Sequence, residues 1–246
     1  MIDRSVRILL GKELAQLGRS RAALVSATLI PLLLLVIVPV PQLVAFSKAP
    51  INIPELPGGG PAGLQSLRGA DFFVQLLYPL LVTICGLIVP SLAASYTIVS
   101  ERERRTLELL IALPVRLTDI LLAKLLSILT LGTLVTVPLF AITATLVVIL
   151  DLAPAGTMLL LLIPLVAAVI CSTCLSLLLT LLARDFRTAN NVNGILFFPV
   201  LIATVGVLGA VGGSARFFVL GVTLLTLGAI ALVIGARWIT FERYLD

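Results

Sequence analysis

The chain contains no histidine. With it go metal sites of the H-E-x-x-H type and every nucleophilic triad that relies on an imidazole base. Charge is also scarce. Asp, Glu, Lys and Arg make up 12% of the 246 residues, where an ordinary soluble domain carries about a quarter. Cysteine is limited to Cys85, Cys171 and Cys174, all inside apolar runs. Cys171-Ser-Thr-Cys174 has the C-x-x-C spacing of redox proteins, but it lies among leucines with no cation near enough to make a thiolate. Packing of small side chains in a helix seam is the better reading. Asp151 and Asp185 stand alone on opposite sides of the apolar runs, which leaves a membrane enzyme little chemistry.

The scarce charge is also missing in blocks. Residues 22–47, 72–100, 125–150, 152–183, 188–215 and 217–236 hold no Asp, Glu, Lys or Arg. Each block is long enough to cross a bilayer core, which takes about 20 apolar residues. We therefore expect an all-α polytopic membrane protein forming one transmembrane domain over residues 1–246. Its six spans are expected at about 22–46, 72–100, 119–150, 156–183, 191–211 and 217–238. Residues 1–21 carry too much charge for a cleaved signal peptide. They alternate as an amphipathic interfacial helix, with Ile2, Val6, Leu9, Leu10, Leu14 and Leu17 on one side. Asp3, Arg4, Arg7, Lys12, Glu13 and Gln16 fall mostly on the other.

Proline and glycine mark the irregular places. Pro31, Pro39 and Pro41 kink or unwind the first span. The second run is too long for a bilayer and is expected to bend at Pro79 or Pro90. Asp151 and Pro154 close a short hairpin between spans three and four. Gly206, Gly209 and Gly212-Gly213 suggest a break or re-entrant turn in the fifth. Gly221, Gly228 and Gly235 recur every seven residues on the sixth, as a close-packing seam does. Thr83, Ser91, Ser95, Thr130, Thr133, Thr136, Ser172, Thr173 and Ser176 either line a pathway between two subunits or, more often for such residues, pack helices together.

Cations orient the chain. Of the 17 Lys and Arg, 14 fall in the N-terminal tail, the segment after span two, the loop after span four and the C-terminal tail. Only Lys48, Arg68 and Arg216 fall on the other side. The positive-inside rule then puts both termini and the central charged segment in the cytoplasm. The net charge of +5 is a consequence of this topology and does not point to nucleic acid.

That central segment, 101–118, is dense in charge between two apolar runs. Glu101 and Arg105, and Arg104 and Glu108, are spaced for i, i+4 pairs, and Pro114 ends the helix they form. Thr118 or Asp119 can cap the next one. A cytosolic helix with one apolar side needs a surface to cover it, either lipid headgroups or a protein partner.

The run Glu-x-Glu-x-x-Thr-Leu-Glu-x-Leu-x-x-Leu-Pro-Val from Glu101 to Val115, with Lys124 ten residues after the proline, resembles the signature of ABC-2 type transporter permeases. The six spans, the Lys12-Glu13-Leu14 core of the amphipathic helix and the Pro/Gly-rich outer loop resemble that family as well. Arg105 departs from it, standing where members usually carry glycine. The resemblance implies a type V exporter-like permease in the inner membrane of a prokaryotic cell, paired with a second permease copy and two ATP-binding subunits. It makes 101–118 the coupling helix, with Glu101, Arg102, Glu103, Arg104, Arg105 and Glu108 as its charged contacts. Thr106 and Pro114 belong to the same motif, and Leu107, Leu110 and Leu113 are the apolar anchors. Arg184, Asp185 and Arg187 form a possible second contact.

No cofactor is expected in this chain, and ATP with Mg would sit on the partner. No G-x-x-x-x-G-K-[ST] occurs, since Gly11-Lys12 has Val6 in place of the first glycine and Glu13 in place of the hydroxyl residue. A largely apolar interior points to a hydrophobic or amphipathic cargo. The alternatives are an ion-driven transporter, which would usually keep ionisable residues within its spans, and a membrane protein that does not transport.

Overall fold

The computed structural model describes residues 4–19, 21–48, 72–96, 117–182 and 186–238. Among these residues there are helices and turns and no strands. An N-terminal helix, α1 (Arg4–Arg19), precedes six helical segments long and apolar enough to cross a membrane. Span one joins helix Arg21–Leu32 to helix Pro39–Lys48 through a π-helical turn at Leu33–Ile37. Span two joins a π turn at Phe73–Leu77 to helix Tyr78–Ala94. Spans three to six are Leu117–Ile149, Ala155–Leu182, Phe186–Ala210 and Ala215–Trp238. In hydrocarbon the backbone must satisfy itself, and helices do so within one segment.

Five of the six spans contain proline within the helix, and the distortions follow from its missing N–H. The irregularity in span two falls at Phe73–Leu77, just before Pro79, while the helix continues through Pro90. In an α-helical register the carbonyl of Gln75 faces the nitrogen of Pro79, which has no hydrogen to give. The bend expected at either proline is therefore a π turn ahead of the first.

Span four is the hub. Within their apolar windows, 67% of span two and 61% of span four is buried, against 28% of span one. Glycine makes the close approaches. A Cβ on Gly86 of span two would lie 2.7 Å from Ala168 Cβ, and one on Gly221 of span six would lie 2.6 Å from Ile163 Cγ2. A Cβ on Gly228 would lie 3.0 Å from Cys171 Cα. Ser172 ties the first seam further by donating to the carbonyl of Leu87. The glycine seam expected on span six is thus formed at Gly221 and Gly228, against span four. Cys85, Cys171 and Cys174 are free and buried, as packing residues.

The pairings fix direction. Gly221 meets Ile163 and Gly228 meets Cys171, so spans four and six run the same way. Tyr78 meets Thr143 and Gly132 meets Pro90, so spans two and three run oppositely. Spans two, four and six therefore begin at one end of the bundle, and span three begins at the other. The hairpin between spans three and four closes with Asp151 at φ 55. Its N–H reaches the Val148 carbonyl at 3.1 Å, and the Leu152 N–H reaches that of Val147 at 3.1 Å. This is a Schellman cap with aspartate at the position glycine usually holds.

Span five runs unbroken through Gly206 and Gly209 and stops at Ala210. Neither glycine breaks it, because a membrane helix keeps its internal hydrogen bonds where no other donor is at hand. The turn comes at Gly213, whose φ of 68 suits a residue with no Cβ.

Large apolar side chains cover the outside, including Leu134, Ile149, Leu159, Ile195 and Phe198. An exposed apolar surface on this scale belongs in lipid.

Candidate coupling and transport site

Span three is the helix that leaves the charged central segment. Its 33 residues reach roughly 50 Å at about 1.5 Å per residue, well beyond a hydrocarbon core of about 30 Å. The excess lies at the start, where Asp119 and Lys124 are. Leu117 and Thr118 already belong to this helix, so neither Thr118 nor Asp119 caps it. Asp119 sits in the first turn, where a carboxylate complements the exposed N–H groups.

Helix α1 packs along these first turns of span three. Its buried stripe is built on Glu13, flanked by half-buried Leu9, Leu10 and Leu14. Arg7, Ile8, Gly11, Lys12 and Ala15 face outward. Glu13, expected on the polar side, belongs instead to the packed face. The reason is tertiary. Glu13 Oε1 lies 3.4 Å from Lys124 Nζ, with side-chain exposures of 3% and 5%. Ile120, Ala123, Ser127 and Ile128 bury the same face of span three around the ammonium, and Ser127 Oγ donates to the Lys124 carbonyl at 2.8 Å.

The opposite end holds a second buried cation. Arg216, in the first turn of span six, donates through Nε to the Gly213 carbonyl at 2.7 Å. Nη2 reaches Gln75 Oε1 at 2.9 Å, and Nη1 reaches the Gln75 carbonyl at 3.3 Å. That is the carbonyl opposite the nitrogen of Pro79. The guanidinium also lies 5.7 Å from the ring centroid of Phe217. Assigned to a loop by charge alone, Arg216 is 7% exposed and clamps the ends of two spans.

Most of the small polar residues face inward and are satisfied within the chain. Thr83 bonds the Pro79 carbonyl at 2.9 Å, Ser95 that of Ser91 at 2.9 Å, Thr136 that of Gly132 at 2.7 Å and Thr173 that of Val169 at 2.7 Å. Thr130 faces outward and Thr133 is half-buried. Burial and bonds of this kind are those of residues that pack helices together. Tyr78 Oη lies 2.7 Å from Thr143 Oγ1, with the Tyr78 ring between those of Phe73 and Phe140. Asn193 of span five is 1% exposed, and neither atom of its amide has a hydrogen-bond partner.

The expected coupling residues Glu101, Arg102, Glu103, Arg104, Arg105, Thr106, Leu107, Glu108, Leu110, Leu113 and Pro114 lie outside the described residues. So do Arg184 and Asp185, while Arg187 lies in the first turn of span five. Among the described residues no group of three or more Cys, Asp or Glu is placed to hold a metal. What the described site contains is α1 fixed to the helix that follows the charged segment. Its signals were present in the sequence as Glu13 and Lys124, but nothing in helical periodicity joins residues 111 apart.

Among the described residues the fold is that of a polytopic helical membrane protein. The family model of the ABC-2 type transporter matches residues 4–208, which takes in α1 and reaches into span five. Comparisons with curated proteins and with solved structures give no match. The chain belongs to the ABC-2 type transporter family. It is the transmembrane component of an ABC transporter, the permease that works with an ATP-binding subunit.

Proposed function

We propose that this permease exports a hydrophobic or amphipathic substrate, driven by ATP hydrolysis on a separate subunit that docks on residues 101–118. Two permease copies pair with two ATP-binding subunits in the inner membrane of a prokaryotic cell, with both termini in the cytoplasm. ATP and Mg sit on the partner. Closure of the ATPase dimer moves the coupling segments, and the paired bundles switch between inward-open and outward-open states.

One observation carries this reading. The described spans hold no carboxylate beyond the first turn of span three, their cations lie toward the helix ends, and the two buried ones, Lys124 and Arg216, are engaged. A proton relay through the bilayer uses ionisable groups along its route, and these spans offer none. That supports force entering from outside the hydrocarbon, through the charged segment ahead of span three.

The test is co-purification of the full chain with its ATP-binding subunit, followed by ATPase assay. Replacing Glu108 or Leu110 by alanine is expected to weaken association and lower ATPase activity. Full activity and undiminished association in both variants would remove 101–118 from the interface.

A further inference from the structure

We propose that the buried Glu13–Lys124 ion pair makes α1 and the first turns of span three one rigid body, so that force applied to the segment ahead of span three is delivered to α1 as well. The role in transport rests on the coupling reading above; the rigid-body claim stands on the geometry alone.

Three observations support it. The pair is buried on both sides, so the two charges face each other out of solvent. Lys124 lies seven residues, about 10 Å, into an unbroken helix that begins where the charged segment ends. Displacement of that end therefore reaches Lys124 without a flexible joint. The contact lies across the helix interface, where α1 offers half-buried Leu9, Leu10 and Leu14 on either side of Glu13. Apolar side chains alone allow sliding between neighbouring registers. A buried charge pair does not, because a shift of one turn would pull the two desolvated charges away from each other. Glu13 and Lys124 are thus positioning residues: they touch no cargo, and they determine what moves together.

The groups around the pair agree with this. From span three, Ile120, Ala123 and Ile128 present apolar surface, and Ser127 turns its hydroxyl to its own backbone. From α1, the charged residues Arg7 and Lys12 face outward.

The experiment places spin labels at Gly11→Cys on α1 and Thr130→Cys on span three, in the full chain in lipid nanodiscs. Gly11 has nothing within 4 Å of a Cβ, Thr130 is exposed, and the three native cysteines are buried away from an aqueous label. With the labelled chain diluted in an excess of unlabelled chain, the pulsed dipolar distance distribution is expected to be one narrow peak. Glu13→Gln and Lys124→Met should each broaden or split it, and the exchanged pair Glu13→Lys with Lys124→Glu should restore it. A narrow peak in both single variants overturns the proposal, since apolar packing would then suffice. Failure of the exchanged pair to restore the peak, in protein that still elutes as a folded species, overturns it too.

A second arm uses the complex with the ATP-binding subunit. The wild-type distance should be the same before and after trapping with ATP and vanadate, while in Lys124→Met the trapped state should shift. A wild-type shift on trapping defeats the rigid body. If no ATP-binding subunit associates, the coupling reading fails, and the first arm still decides the clamp.

Discussion

Among the described residues each end of the bundle buries one cation, and the two ends hold it differently. Where α1 meets span three, Lys124 faces the carboxylate of Glu13 at 3.4 Å. At the other end, Arg216 is held by neutral oxygens, the carbonyls of Gly213 and Gln75 and the side-chain amide of Gln75. An ammonium is a compact, strongly hydrated charge, and out of water it needs a counter-charge. A guanidinium spreads its charge over a planar fork of five donors and can be satisfied by several carbonyls. One end is therefore an electrostatic lock between two helices that move or stay together. The other is a polar clamp that uses a carbonyl for which Pro79 has no hydrogen.

The sharpest way to break this contrast is Lys124→Met. It removes the ammonium from the buried pair and should cost about 3–5 kcal/mol, the range for breaking such a pair. Thermal unfolding of the purified chain in detergent reads it directly. Restoring opposite charge with Glu13→Lys and Lys124→Glu should recover most of the loss, and no recovery would mean the geometry, not the charge, is what matters.

Arg216→Met should cost less, roughly 1–3 kcal/mol, because it strands neutral acceptors and no charge. A loss equal to that of Lys124→Met in the same assay would erase the distinction between the ends. Gln75→Leu removes the side-chain acceptor but keeps the main-chain one, and a drop of about 1 kcal/mol is expected. If instead it matches Arg216→Met, the backbone carbonyl contributes nothing to the clamp.

The smallest expected change goes the other way. Asp151 sits at the Arg216 end with φ 55, a left-handed conformation that glycine adopts more readily. Asp151→Gly should raise stability by up to about 1 kcal/mol if the charge has no favourable role. A fall in the unfolding midpoint would reveal that this carboxylate, too, is held by an unrecognised partner at that end.

The contrast between the ends also shows where sequence reasoning stopped. Span existence was plain in the charge-free blocks, and the seven-residue glycine spacing on span six pointed to a seam that Gly221 and Gly228 form against span four. The bend in span two was anticipated near Pro79, although its form, a π turn ahead of the proline, depends on how the chain relieves a missing donor. Glu13 was misplaced because amphipathic reading assigns a charged residue to the wet face, and only a partner 111 positions away reverses that. Arg216 was read as a loop residue because charge runs locate the edges of spans and not what those edges touch. The glycines of span five suggested a break, yet Gly206 meets nothing and stays helical.

Composition and spacing alone determined that this is a membrane-embedded helical protein with six crossings and a charged segment between the second and third. The reason is that transfer of charge and open backbone into hydrocarbon is too costly to be arranged in any other order. Which helix stands at the centre, which glycines meet a neighbour and which buried cation takes a carboxylate were decided only by the tertiary structure. Those outcomes depend on contacts between residues far apart in the chain, and periodicity within one helix carries no information about its neighbours.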